Sequence, residues 1–60
     1  MQGKISVFFK DGSVKEFYHV HYLKYSYELE SAEIGYSDIG SPLIQAYRVN
    51  LKQVAQISIK

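Results

Sequence analysis

Cysteine is absent from this sequence, so no disulfide can fasten its fold. No apolar run approaches the ~18 residues that a membrane-spanning helix needs. The opening MQGKISVFFKDGS lacks the apolar core and cleavage site of a signal peptide, and a cytoplasmic protein is expected. Neither sign of charge dominates: seven Lys and Arg stand against six Asp and Glu, a formal +1. That balance argues against a protein that wraps DNA, which carries a basic footprint, and against an acidic mimic of nucleic acid. There is no G-x-S-x-G elbow and no glycine-rich phosphate loop. No ten-residue segment has a helical period, and no internal repeat or low-complexity tract occurs.

What remains is one small domain, residues 1–60, with little energy to spare. Area scaling gives about 4,000 Å² exposed after folding against about 10,000 Å² for the open chain. If about 60% of the difference is apolar, its burial contributes ~90 kcal/mol, and ordering the chain costs about the same. Stability must lean on six Tyr and three Phe, or on self-association.

The longest uninterrupted pattern is FYHVHYLKYSYEL, Phe17 to Leu29, without Gly or Pro. Aromatic and β-branched residues of this kind fit a pleated surface. Its second half alternates Leu23, Tyr25, Tyr27 and Leu29 against Lys24, Ser26 and Glu28. The first half sets Tyr18, Val20 and Tyr22 against Phe17, His19 and His21. The two phases conflict at Tyr22-Leu23, where one extra residue, a β-bulge or sharp bend, would reconcile them. A straight strand of this length would run about 43 Å, well beyond the usual. The pattern predicts one long strand bent near Tyr22 and shared between two sides of a small barrel. A tight turn at Lys24 is the alternative.

Upstream, Asp11-Gly12 closes a hairpin between Lys4–Lys10 and a strand opening at Ser13 or Val14. A two-residue turn pairs Phe9 with Val14 and Ile5 with Tyr18. A three-residue turn with a bulged glycine instead sets Ile5 across from Phe17. The first agrees with Tyr18, Val20 and Tyr22 facing inward and is preferred. Downstream, Ala32 to Tyr36 reads as a strand, SDIGSP (37–42) as a loop, and Leu43 to Asn50 as a strand. Asn50 to Gln53 reads as a tight or 3₁₀ turn, and Val54 to Lys60 as a last strand with Ala55, Ile57 and Ile59 on one face. Together these predict an all-β fold: a five-stranded antiparallel barrel or strongly twisted meander, SH3-like or OB-like in size.

Few residues offer chemistry. His19 and His21 could hold a metal by two imidazoles, but a site needs a further ligand. There is no third His and no Cys, and Glu16 lies on the opposite parity. No metal and no cofactor are expected. Ser37, Asp38 and His19 have the composition of a nucleophilic triad, but so short a chain can hardly spare a pocket of ~300 Å³. Neither catalysis nor a small-molecule substrate is expected. Glu28, Glu30 and Glu33 flank a turn and read as solvated residues that keep an edge from pairing.

The more informative group is apolar. In the preferred register Phe8, Phe17, His19 and His21 point outward with Lys4 and Lys15 beside them, bordered by Tyr36 and Ile39. Large apolar groups gathered on one face mark a contact surface. The loop around Ile39 could cover it, or a protein partner or second copy of the chain. Bases of single-stranded nucleic acid could also stack there, with Lys4, Lys15 and Lys24 meeting phosphates.

The segments KISVFFKDGSVKEF and VNLKQVAQISIK resemble parts of short uncharacterised all-β proteins of Gram-positive bacteria and their phages. The resemblance implies a small accessory protein that acts by binding, with no active-site residues to carry over. The expected function is thus a non-enzymatic protein-interaction module using an aromatic-rich sheet face or a free strand edge. A single-stranded nucleic-acid binder is the alternative, and no membrane partner is expected.

Overall fold

The computed structural model describes residues 3–38, 40 and 42–60; the expectation for Ile39 lies outside them. Among the described residues six strands form, in order β1 (Ile5–Phe9), β2 (Val14–Phe17), β3 (Val20–Ser26), β4 (Ser31–Ser37), β5 (Ile44–Asn50) and β6 (Val54–Ile59). They make two three-stranded antiparallel sheets, β2-β1-β6 and β3-β4-β5. A 3₁₀ turn (Leu51–Gln53) carries the chain from one to the other, opened by the Asn50 side chain accepting the Lys52 N–H at 2.9 Å. Among the described residues no helix is long and apolar enough to cross a membrane.

The first hairpin corrects the preferred register. Ile5 pairs with Phe17 and Phe8 with Val14, so the turn has three residues, 10–12. The Gly12 N–H donates to the Phe9 carbonyl at 3.0 Å, and the Phe9 N–H donates to the Ser13 carbonyl at 2.9 Å. Gly12 takes φ +93, the left-handed position that closes such a loop. A two-residue type I′ turn would need Asp11 left-handed as well. Instead Asp11 Oδ1 accepts both the Ser13 hydroxyl (2.6 Å) and the Ser13 N–H (2.8 Å). The shift of one residue reverses every side chain of β2. Phe17, expected outside, is 2% exposed, and Tyr18, expected inside, is 52% exposed.

The long ribbon has the irregularity expected near Tyr22 and an earlier break that was not expected. It breaks at Tyr18-His19, where His19 has φ 53, and its register shifts again between Val20 and Tyr22. Six strands therefore replace five. β3 ends at Ser26, and Tyr27 and Leu29, which continue the alternation in sequence, sit exposed in the following turn.

Ile5, Val7, Phe17, Val20 and Ile34 form the core, with Phe9, Leu23, Tyr36, Tyr47, Val54 and Ile57 packed against it. Val54 and Ile57 can both face inward because the β1–β6 pairing steps from Gln56 to Val54. Ala55 is bulged out and exposed, which corrects the expectation that it shares a face with Ile57. The exposed area is 4279 Å², close to the scaling expectation. One bond ties the sheets at a corner, from the Val20 N–H to the Gly3 carbonyl (3.2 Å), while the Leu51 N–H to the Glu30 carbonyl (2.8 Å) extends the β4–β5 ladder by one pair.

Candidate functional site

The break between β2 and β3 makes a cleft. Histidine tolerates the left-handed region better than bulkier residues, and His19 turns the chain there. Its carbonyl accepts the Ser37 N–H at 3.2 Å, which holds the end of β4 alongside. The cleft of about 240 Å³ is lined by Glu16, Phe17, Tyr18, His19, Tyr36, Ser37 and Asp38. Behind it the Phe17 ring lies 5.1 Å from that of Tyr36 and 5.3 Å from that of Tyr47, both tilted, a favoured arrangement for aromatic pairs.

Two carboxylates border this apolar lining. Glu16 Oε2 is 2.6 Å from Lys4 Nζ, and its carboxylate accepts from Ser6 Oγ and Tyr18 OH at 3.4 and 3.3 Å. The Lys4 hydrogen bond is the main cause holding Glu16 below the usual carboxylate range, and it raises Lys4 in turn. Lys4 also sits 5.5 Å from the Tyr18 ring centre. On the other side Asp38 accepts from Gln45 Nε2, and Gln45 Oε1 accepts from Tyr36 OH at 3.3 Å.

The structure gathers only part of the expected contact group. His19 and Tyr36 line the cleft, and Phe17 reaches it from the core. His21 lies beside it, half-buried, with Nε2 2.7 Å from Ser37 Oγ. Phe8 is elsewhere, on the outer face of the first sheet next to Val14, 37% and 51% exposed. The lysines do not form one stripe. Lys4 shares the outer face with Glu16, while Lys15 pairs with Val7 and reaches over the Tyr47 ring at 4.7 Å. Lys24 belongs to the other sheet, over Tyr22 at 5.2 Å.

Glu16 and Tyr18 were not expected at a contact surface, and Asp38 was singled out only beside Ser37 and His19. The signal for the first two was the spacing Glu16-x-Tyr18, which puts both on one face of a strand; the assumed register aimed Tyr18 inward.

The His21–Ser37 distance suits a base and its nucleophile. Yet the Ser37 N–H is already engaged by the His19 carbonyl, so it is not free to stabilise an oxyanion. Among the described residues no group of three or more His, Cys, Asp or Glu side chains is placed to hold a metal ion. No protein-family model, curated protein or solved structure matches this chain.

Proposed function

We propose that this chain is a non-enzymatic protein-interaction module that takes an extended segment of a partner in the cleft at the β2–β3 break. The fold is read as a small SH3-like barrel. What supports that reading is the sharp break that carries the chain from β2 in one sheet to β3 in the other, the 3₁₀ turn before β6, and the return of β6 beside β1.

The observation that carries the function is the cleft's composition: three aromatic rings together with the carboxylates of Glu16 and Asp38. At about 240 Å³ it is smaller than the ~300–1,000 Å³ of a typical small-molecule site, and it suits one or two side chains. Lys4 pairs with Glu16, whereas Asp38 accepts from the neutral Gln45 amide and His19 is the sole nitrogen base in the lining, so the partner segment should pair an apolar residue with Lys or Arg. Selection from a random peptide library, followed by titration with amide chemical shifts, tests this. Enriched peptides should be apolar-basic and should shift residues 16–19 and 36–38, and Tyr18→Ala should abolish their binding without unfolding the chain. Peptides that bind Tyr18→Ala equally well would refute the assignment.

Single-stranded nucleic acid is the second reading, favoured only by the lysines poised over aromatic rings. The carboxylates at the cleft oppose it. Its signature is oligonucleotide binding that weakens steeply with salt.

A further inference from the structure

The phase of the β1–β6 ladder shows which backbone groups of β6 are left over. Lys4 and Lys60 exchange both of their bonds, at 3.2 and 2.9 Å. Such pairs alternate along an antiparallel ladder with pairs that exchange none. Ser6–Ser58 and Phe8–Gln56 continue the bonded set, and Ile5–Ile59 and Val7–Ile57 fall between. The N–H and C=O groups of Ile57 and Ile59 therefore point away from β1. β6 is the last strand of its sheet, and among the described residues no backbone group meets them there.

Natural proteins blunt such edges with charge, proline or bulges. Four strands stand at sheet edges: β2, β6, β3 and β5. β2 carries Lys15 and Glu16, β3 carries Lys24, and β5 carries Arg48. β6, with the sequence VAQISI, carries no charge, no proline and no glycine, the composition of a segment that pairs with copies of itself. Among the described residues its protection is the bulge at Ala55 and the charge of Lys60 just past its end, which leaves residues 57–59 in regular, uncharged register. Ile59, 51% exposed, lies along this stretch.

We infer that β6 pairs with β6 of a second copy, antiparallel about a two-fold axis at Ser58. In that register Ile57 exchanges both bonds with Ile59 of the second copy, and Ile59 with its Ile57. Every backbone group left over on residues 57 and 59 is then used. The side chains suit a self-complementary contact: Ile57 meets Ile59 on one face, and on the other Ser58 meets Ser58 and Gln56 meets Lys60. No like charges stand opposite, which is what a two-fold interface must avoid. The two sheets merge into one of six strands. An edge this short covers well under the ~1,000 Å² of a lasting interface, so the dimer forms at high concentration and dissociates on dilution. This pairing is independent of the cleft.

Sedimentation and light scattering from micromolar to millimolar concentration provide the first test, with the mass expected to rise toward two chains. Ile59→Lys, folded by circular dichroism, should stay at one chain where the parent dimerises. In this cysteine-free chain, Ser58→Cys should cross-link on oxidation at least about tenfold faster than Gln56→Cys. Ser58 faces Ser58 at ~4.5 Å between Cα atoms, within disulfide reach, whereas the two Gln56 residues stand about four positions out of register, beyond it. A single-chain mass at every concentration, or cross-linking at Gln56 as fast as at Ser58, overturns the inference.

Discussion

The Tyr22 ring occupies the space directly over Gly35, its cross-strand partner, so that a β-carbon at position 35 would overlap the ring. The ring is held there by its hydroxyl, which donates to Glu33 Oε2 at 2.8 Å, and glycine covered by an aromatic neighbour is a known device for pinning register. Gly35→Ala should destabilise the fold by about 1–3 kcal/mol, the usual cost of overpacking. In a Tyr22→Ala background the same change should cost little, because alanine suits a strand better than glycine once the ring is gone. A urea-denaturation double-mutant cycle measures the coupling; additive effects would show that the ring is not what requires glycine.

Phe17 is the largest side chain in the core and touches both Tyr36 and Tyr47. Phe17→Ala should cost about 3–5 kcal/mol. A chain of this length has about 3–9 kcal/mol in total, so the variant should be largely unfolded or close to it at 25 °C. Phe8→Ala, on the outer face, should cost far less. Equal urea midpoints for the two variants would reverse this assignment.

The same two phenylalanines show what was legible in the sequence and what was not. Alternation located the strands well: β1, β4, β5, β6 and the 3₁₀ turn lie within a residue or two of their expected bounds. Which face each residue takes depended on turn length, and Asp11-Gly12 suits turns of two or three residues. The Asp11–Ser13 bonds, contacts that no periodicity reveals, accompany the longer turn. That single residue moved Phe17 from the proposed contact face to the core and brought Tyr18 out to the cleft. The phase conflict in the tyrosine-rich stretch marked the extra residue between Val20 and Tyr22, but the earlier break at Tyr18-His19 was not legible. A left-handed histidine breaks the strand before the alternation visibly fails. Tyr27 and Leu29 misled for the opposite reason, since their β-propensity persists into a turn.

His19 offers a separate test of the break. Its φ of 53 is strained for a β-branched side chain, and the left-handed region costs an L-residue roughly 1–2 kcal/mol. His19→Val should therefore lower stability by about 1–2 kcal/mol, while His19→Gly should be neutral or slightly stabilising. Thermal and urea unfolding of the three proteins would check the order. If valine is tolerated as well as glycine, the ribbon can run through position 19 without the turn.

Stability should form a plateau in pH, bounded by groups with shifted titration. Glu33 is held below its ordinary value of 4.5, first by the Tyr22 hydroxyl and then by Arg48, whose Nη2 is 3.2 Å away. Asp11 is lowered by the Ser13 hydroxyl and Glu16 by Lys4. A carboxyl whose folded-state pKa lies below its unfolded value contributes fully above the unfolded value, and loses that contribution as pH falls through the folded one. At the alkaline end Tyr22 is raised above 10.0 by its bond to Glu33, and Lys4 above 10.5 by its bond to Glu16. Their contributions hold below those values and fade as pH rises through the raised ones. Urea midpoints should thus fall between pH 5 and pH 2 and again above pH 10. Glu33→Gln keeps an acceptor for the Tyr22 hydroxyl but cannot ionise, so it should lower the midpoint at pH 7 and flatten the acid decline. An acid decline as steep in Glu33→Gln as in the parent would place the sensitivity outside the Tyr22–Glu33–Arg48 group.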